Sequence, residues 1–167
     1  MDTLDNKAKP LAFYVILLMS LFLAFVIAIY PLPAELNYFR PEFICLLVIL
    51  WTITDPEHLG LVFAFVVGLA QDLLEQSVWG GHAMALTIVA LVCQMSGFRI
   101  KSYSVWHQSM WVFVLVGIHQ VLVNWVQSLA GYTAQTRWIL TSTAISALLW
   151  PVVHLLLRRI RVAYLLH

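Results

Sequence analysis

Charge is what this chain has least of. Lys, Arg, Asp and Glu make up 10% of its 167 residues, against roughly 25% in a soluble globular domain, and that shortage excludes a water-facing surface over most of the molecule. Cysteine is scarce too. Cys45 and Cys93 stand alone inside apolar runs with no CxxC or Cys/His spacing, which argues against a disulfide framework or a zinc site and leaves two small buried hydrophobes. Nucleophile-base sets, phosphate-cradling glycine loops and zinc-binding helix motifs are missing, so neither catalysis nor a cofactor is expected. Two carboxylates with a histidine beside them, Asp55, Glu57 and His58, leave a hydrolase at the interface open as an alternative that needs more groups than these. The chain carries no low-complexity tract, internal repeat, long linker or basic patch for nucleic acid, and it reads as one domain over 1–167.

Hydrophobicity is present instead: 62% of residues are hydrophobic with a net charge of +1, and the mean hydropathy is +0.90. The class that follows is an all-α integral membrane protein. A bilayer-spanning helix needs about 20 mostly apolar residues, and 11–30 supplies such a run without a charge. It is too long for the roughly 7–15-residue core of a signal peptide, and Tyr30-Pro31-Leu32-Pro33 offers no small-residue cleavage site, so this helix is expected to stay.

Apolar runs divided by turn and charge signals predict a bundle of six transmembrane helices at 11–30, 41–54, 56–75, 82–96, 105–129 and 138–157. Pro41 suits a first helical position and Glu42 the positive end of the second helix. That helix covers only about 21 Å at 1.5 Å per residue, so it either crosses in part or is shielded by its neighbours. Asp55-Pro56-Glu57 reads as the start of the third, Gly80-Gly81 as the break before the fourth, and Gly97 with Arg99 and Lys101 as its close. Pro151 is expected to kink the sixth. Lys7, Lys9, Arg99, Lys101, Arg158, Arg159 and Arg161 then share one side, and Arg40 and Arg137 the other. The excess of Lys and Arg on one side predicts cytoplasmic N- and C-terminal tails. Trp79 and Trp138 fall near outer helix ends and Trp106 near an inner end, as interfacial belts require; Trp125 and Trp150 lie deeper and read as packing residues.

Polar residues inside this frame are the functional candidates. Gly68 and Asp72 share one helix face at i and i+4, and Glu75 extends it outward. Asp72 falls near the outer edge of the membrane core, where it either snorkels to water or pairs inside the bundle, with Arg40 and Arg137 as the available cations. Gly117, Gln120, Asn124 and Gln127 recur at spacings of three, four and three and draw a polar stripe along the fifth helix. Lipid rejects such a face, so it should hydrogen-bond to other helices. Ser142 and Ser146 give the sixth helix a small-residue face. His119 and His154 are read as hydrogen-bonded structural groups rather than a proton relay, because no chain of acids connects them.

Four stretches carry a resemblance: FRPEFICLLVILW at 39–51, GLVFAFVVGLAQDLL at 60–74, GGHAMALTIVALV at 80–92 and LLWPVVHLLLRRIR at 148–161. Their order and spacing, through nearly the whole chain, resemble the bacterial rod-shape-determining membrane protein family MreD. The matching positions are Arg40 and Pro41, Gly68 and Asp72, Gly80, and Trp150 and Pro151. Where the family often has a Ser-Gly-Ser type of turn after the Asp-Leu, this chain has Leu74-Glu75-Gln76-Ser77-Val78-Trp79, a departure at the tight turn. The resemblance implies a non-enzymatic subunit of the bacterial inner membrane that binds MreC and links MreB filaments to RodA and its class B penicillin-binding transpeptidase. Membrane lipid and a second copy of the chain, as a homodimer, are further candidate partners. It also implies a fold similar to the substrate-binding component of energy-coupling-factor vitamin transporters. The alternative is therefore a small-molecule-binding membrane component, and a third reading is a proton or ion pathway through Asp72 and His119.

Overall fold

The computed structural model describes the backbone of residues 2–31, 33, 39–132 and 139–165, and the side chains of 12–31, 33, 39–97, 99–132, 139–160 and 162. Among these residues lie six helices: α1 (Asp2–Ile29), α2 (Phe43–Thr54), α3 (Leu61–Leu74), α4 (Gly81–Ser102), α5 (Val105–Leu129) and α6 (Ile139–Leu165). Three hold segments long and apolar enough to cross a membrane, Ala12–Ile29, Val105–Leu129 and Ile139–Ile160, while Phe43–Thr54, Leu61–Leu74 and Gly81–Gly97 are shorter apolar helices.

The distribution of residue types is that of a protein solvated by lipid. Large apolar side chains point outward, among them Leu18, Met19, Phe22 and Leu23 on α1, and Leu140, Leu148 and Leu156 on α6, all more than half exposed. Polar ones point inward: Gln71, Asp72, His82, Gln108, His119, Gln120, Ser142, Thr143 and Ser146 are buried. In water that arrangement would be strongly unfavourable; in lipid the tails cover apolar side chains and every polar group must find a partner inside. The chain is an all-helical membrane protein.

The second helix is the centre of the bundle. Every residue from Ile44 to Ile53 is buried, so its short length is compensated by shielding from α1, α4, α5 and α6. Trp51, near its end, packs edge-on against Phe13 of α1 at a ring separation of 5.3 Å and donates its indole N–H to Ser20 Oγ at 3.1 Å. Cys45 and Cys93 are fully buried free thiols.

Several expected helix ends move, each for a local reason. Pro41 precedes the cap instead of opening α2; Glu42 is the N-cap, and the Phe43 N–H bonds the Pro41 carbonyl at 3.0 Å. Asp55-Pro56-Glu57 does not start α3. Asp55 closes a turn of its own, with its carbonyl accepting from the Leu59 N–H and its carboxylate from His58, and the helix begins only after Gly60. Gly97 does not end α4. An interior glycine costs about 1 kcal/mol, and here Ile100, buried at the next turn, and Lys101, which donates to Thr54 O at 3.2 Å, hold the continuation in place. The sixth helix runs through Pro151 to Leu165. Trp125 faces outward, 58% exposed, and is a lipid-facing residue rather than a packing one. Trp150 is buried and donates to Gln108 Oε1 at 3.2 Å. Trp138 and Arg137 lie outside the described residues.

These contacts define two ends. Arg40 and Ser142 place the end of α1, the start of α2 and the start of α6 together with Asp72. Lys101, Thr54, Gln108 and Arg158 gather at the opposite end.

Candidate functional site at the Asp72 end

Asp72 sits in the last turn of α3 and is 1% exposed. Snorkelling to water therefore does not explain it. Its Oδ2 accepts from the Gly80 N–H at 2.9 Å and the Ala83 N–H at 3.3 Å, and its Oδ1 from the His82 N–H at 3.0 Å and the Ser77 hydroxyl at 2.8 Å. Gly80 is the N-cap of α4 and has no side chain to offer. The second and third N–H groups of a helix are those a capping residue normally satisfies, so Asp72 is the cap of α4, supplied from a neighbouring helix. The carboxylate also faces the positive end of the α4 dipole. Neither Arg40 nor any other Lys or Arg among the described residues pairs with it, which corrects the expected partner; the charge is balanced by backbone N–H groups and the side chain of His82.

Two glycines make this geometry accessible. Gly80 has φ +90°, a left-handed conformation that only glycine adopts without strain. Gly68, one turn before Asp72, lies against α4 so closely that a Cβ would stand 2.6 Å from Ala83 N and 2.8 Å from His82 C. The i, i+4 spacing therefore brings helix backbones into contact at Gly68 and delivers a cap at Asp72. The Glu75-to-Trp79 segment does form a tight turn without a glycine: Gln76 takes φ +51°, the Ser77 N–H bonds Asp72 O at 3.1 Å, and the Ser77 hydroxyl reaches the carboxylate.

His82 extends the network. Its Nδ1 lies 2.9 Å from Asp72 Oδ1, which assigns the N–H to that nitrogen, and its Nε2 lies 3.6 Å from Glu75 Oε2. Glu75 in turn accepts from Gln71 Nε2 at 2.9 Å. The His82 ring is 5.7 Å from that of His119. His119 is buried, and neither of its ring nitrogens has a hydrogen-bond partner among the described residues, contrary to the expectation of a bonded structural histidine.

The polar stripe of α5 serves a second junction. Gln120 is buried and donates to Ser142 Oγ at 2.8 Å and to Glu42 Oε1 at 3.3 Å. Ser142 donates to Arg40 O at 2.6 Å, and the Glu42 N–H donates to Ser146 Oγ at 2.9 Å. The start of α2 is thus held by α5 and α6. Gly117 faces Thr143 at ordinary contact distance. The stripe then loses this role: Asn124 bonds the Gln120 carbonyl of its own helix, and Gln127 is half-buried. Arg40 donates to the carbonyls of Ile27 and Tyr30, closing the end of α1. Between the junctions lies a cavity of about 370 Å³ lined by Arg40, Glu42, Gln71 and Glu75.

Ser77 and His82 were not singled out in the sequence, and Glu42 was read there only as the acid at the start of the second helix. An acid near a helix end, followed within ten residues by a glycine pair that opens the next helix, was the signal that could have found the first two.

A family model described as rod shape-determining protein MreD matches residues 9–160. The curated "Rod shape-determining protein MreD" of Haemophilus influenzae is 32% identical over 147 residues, covering 87% of this chain and 90% of that relative. No solved structure matches the chain. The helix-capping aspartate, the glycine crossing and the arginine-proline start of α2 all lie within the matched region, and the chain belongs to the MreD family of rod shape-determining proteins.

Proposed function

We propose that this chain is a non-catalytic, six-crossing subunit of the bacterial inner membrane that binds MreC directly. Through it the chain helps couple MreB filaments to peptidoglycan synthesis by RodA and a class B penicillin-binding transpeptidase, with both termini cytoplasmic. Family membership supports the role in cell shape. The observation that favours a scaffold is the use of the polar groups at the Asp72 end: Asp72, Gln120, Ser142 and Ser146 are occupied in holding helix starts. Glu75, Gln76 and Trp79 project from the resulting rigid rim, Trp79 with 75% of its surface exposed. A preorganised rim of this kind suits a protein partner, since little is lost to ordering on association. Deleting the protein should round rod-shaped cells, and detergent pull-down should recover MreC. Normal rods with no co-purified MreC would overturn the reading.

A second reading is favoured by the cavity between Arg40, Glu42, Gln71 and Glu75. There the side-chain amide oxygen of Gln71 is buried without a partner among the described residues, and a small molecule of the kind bound by vitamin-transporter substrate components would supply the missing donor. Saturable thermal stabilisation of the purified protein by such a compound, with MreC not recovered, would select it.

A further inference from the structure

The opposite end of the bundle is built differently. A cavity of about 560 Å³ opens between the ends of α2 and α4, the start of α5 and the last turns of α6. Its floor is apolar, formed by Leu50, Ile53, Val105 and Leu157, and its charged lining residues are both cations, Lys101 and Arg158. No carboxylate lines it among the described residues, and neither cation is ion-paired there; the ion pairs at described residues all involve histidine. Lys101 spends one of its three N–H donors on Thr54 O, which fixes the ammonium over the cavity.

The depth of the cavity in the membrane follows from the helices around it. It lies where the apolar segment Val105–Leu129 begins and where Ile139–Ile160 ends. Trp106, 73% exposed, and Tyr103 stand at the same level, as aromatic residues do at the headgroup region. An apolar floor thus continues into the acyl region while two unpaired cations sit at phosphate height. Basic pockets between membrane helices at this depth are suited to anionic headgroups.

We propose that this cavity is a binding site for an anionic phospholipid of the surrounding bilayer, its phosphate held by Lys101 and Arg158 and the start of one acyl chain laid against Leu50, Ile53 and Leu157. A lipid, rather than a free phosphate, is indicated because most of the lining is apolar and would gain nothing from a hydrophilic anion.

Native mass spectrometry of the purified full chain, in detergent with equimolar phosphatidylglycerol and phosphatidylcholine, tests this. The expected result is retention of one phosphatidylglycerol in preference to phosphatidylcholine, weakened about fivefold by either Lys101→Gln or Arg158→Gln and about 20-fold by both together. Arg159→Gln, a change of an exposed neighbour outside the cavity, should leave the preference intact. Leu157→Trp, which fills the floor and keeps both charges, should reduce retention, and millimolar inorganic phosphate should not displace the lipid. Melting curves of each variant identify those that remain folded. Equal retention of the two lipids, an equal loss with Arg159→Gln, or displacement by phosphate would each overturn the proposal.

Discussion

The two ends of this bundle solve the same problem in opposite ways. At the Asp72 end a carboxylate, a glutamine and two serines are bonded directly to helix starts, and the charge is cancelled inside the protein. At the Lys101 end the cations face an open cavity and are left to their surroundings. The difference reflects which helix termini are at risk. The helices α2 and α4 both begin at the Asp72 end, and the first N–H groups of each need acceptors. On the lipid site proposed above, the cations of the Lys101 end are met instead by a lipid phosphate.

Mutations should separate the ends by their effect on stability. The largest effect is expected from Asp72→Leu, which strips acceptors from Ser77, Gly80, His82 and Ala83 at once; about 3–5 kcal/mol of stability should be lost, as for breaking a buried charged contact. The protein should still insert but melt well below the parent in detergent. An unchanged melting temperature would mean that the cap is dispensable and the contrast between the ends is false.

Gly68→Ala forces a methyl into the backbone of α4 and should cost about 1–3 kcal/mol, the usual penalty of overpacking, read in the same melting assay. Ser142→Ala removes one bond to Arg40 O and one acceptor for Gln120, and is expected to cost about 1–2 kcal/mol. Lys101→Gln, at the other end, should move the melting temperature by less than about 2 °C while weakening retention of anionic lipid. A large loss of stability with Lys101→Gln would erase the comparison.

The smallest effect is a protonation change at the Lys101 end, in the turn between α2 and α3. His58 Nδ1 lies 3.1 Å from both oxygens of the Asp55 carboxylate. The hydrogen bond and then the charge of Asp55 favour the imidazolium, so His58 titrates above its ordinary value near 6.5. Asp55→Asn should bring it back down, as followed by the imidazole NMR signals across pH 5–8. No change in the midpoint would show that the contact is not formed in solution.

Much of the fold was legible because lipid imposes a simple rule on sequence. Charge-free runs became helices, and 105–129 became α5 with the same limits. The helix starts were less legible because a start depends on where a local acid sends its oxygens. Asp55 and Asp72 look alike on paper, each beside a helix boundary. Asp55 turns back on His58 and Leu59 in an exposed turn, whereas Asp72 reaches ten residues ahead to cap another helix. For the site, spacing put Gly68 with Asp72 and picked out Gln120, Ser142 and Ser146. It misassigned the partner of Asp72 by looking for an opposite charge among side chains, when backbone N–H groups at a helix start carry the compensating charge.

By itself the sequence determined that this chain lives in a membrane, that its helices are apolar on nearly every side, and that its few polar side chains must be buried against protein. Hydropathy and the cost of unpaired polar groups in lipid act locally and can be read residue by residue. Only the tertiary structure decided that Asp72 caps α4, that α2 is enclosed by its neighbours, and that two cations converge on one cavity. Each of these depends on which helices touch, and that is set by close contacts such as Gly68 against Ala83, which join residues distant along the chain and leave no periodic trace in it.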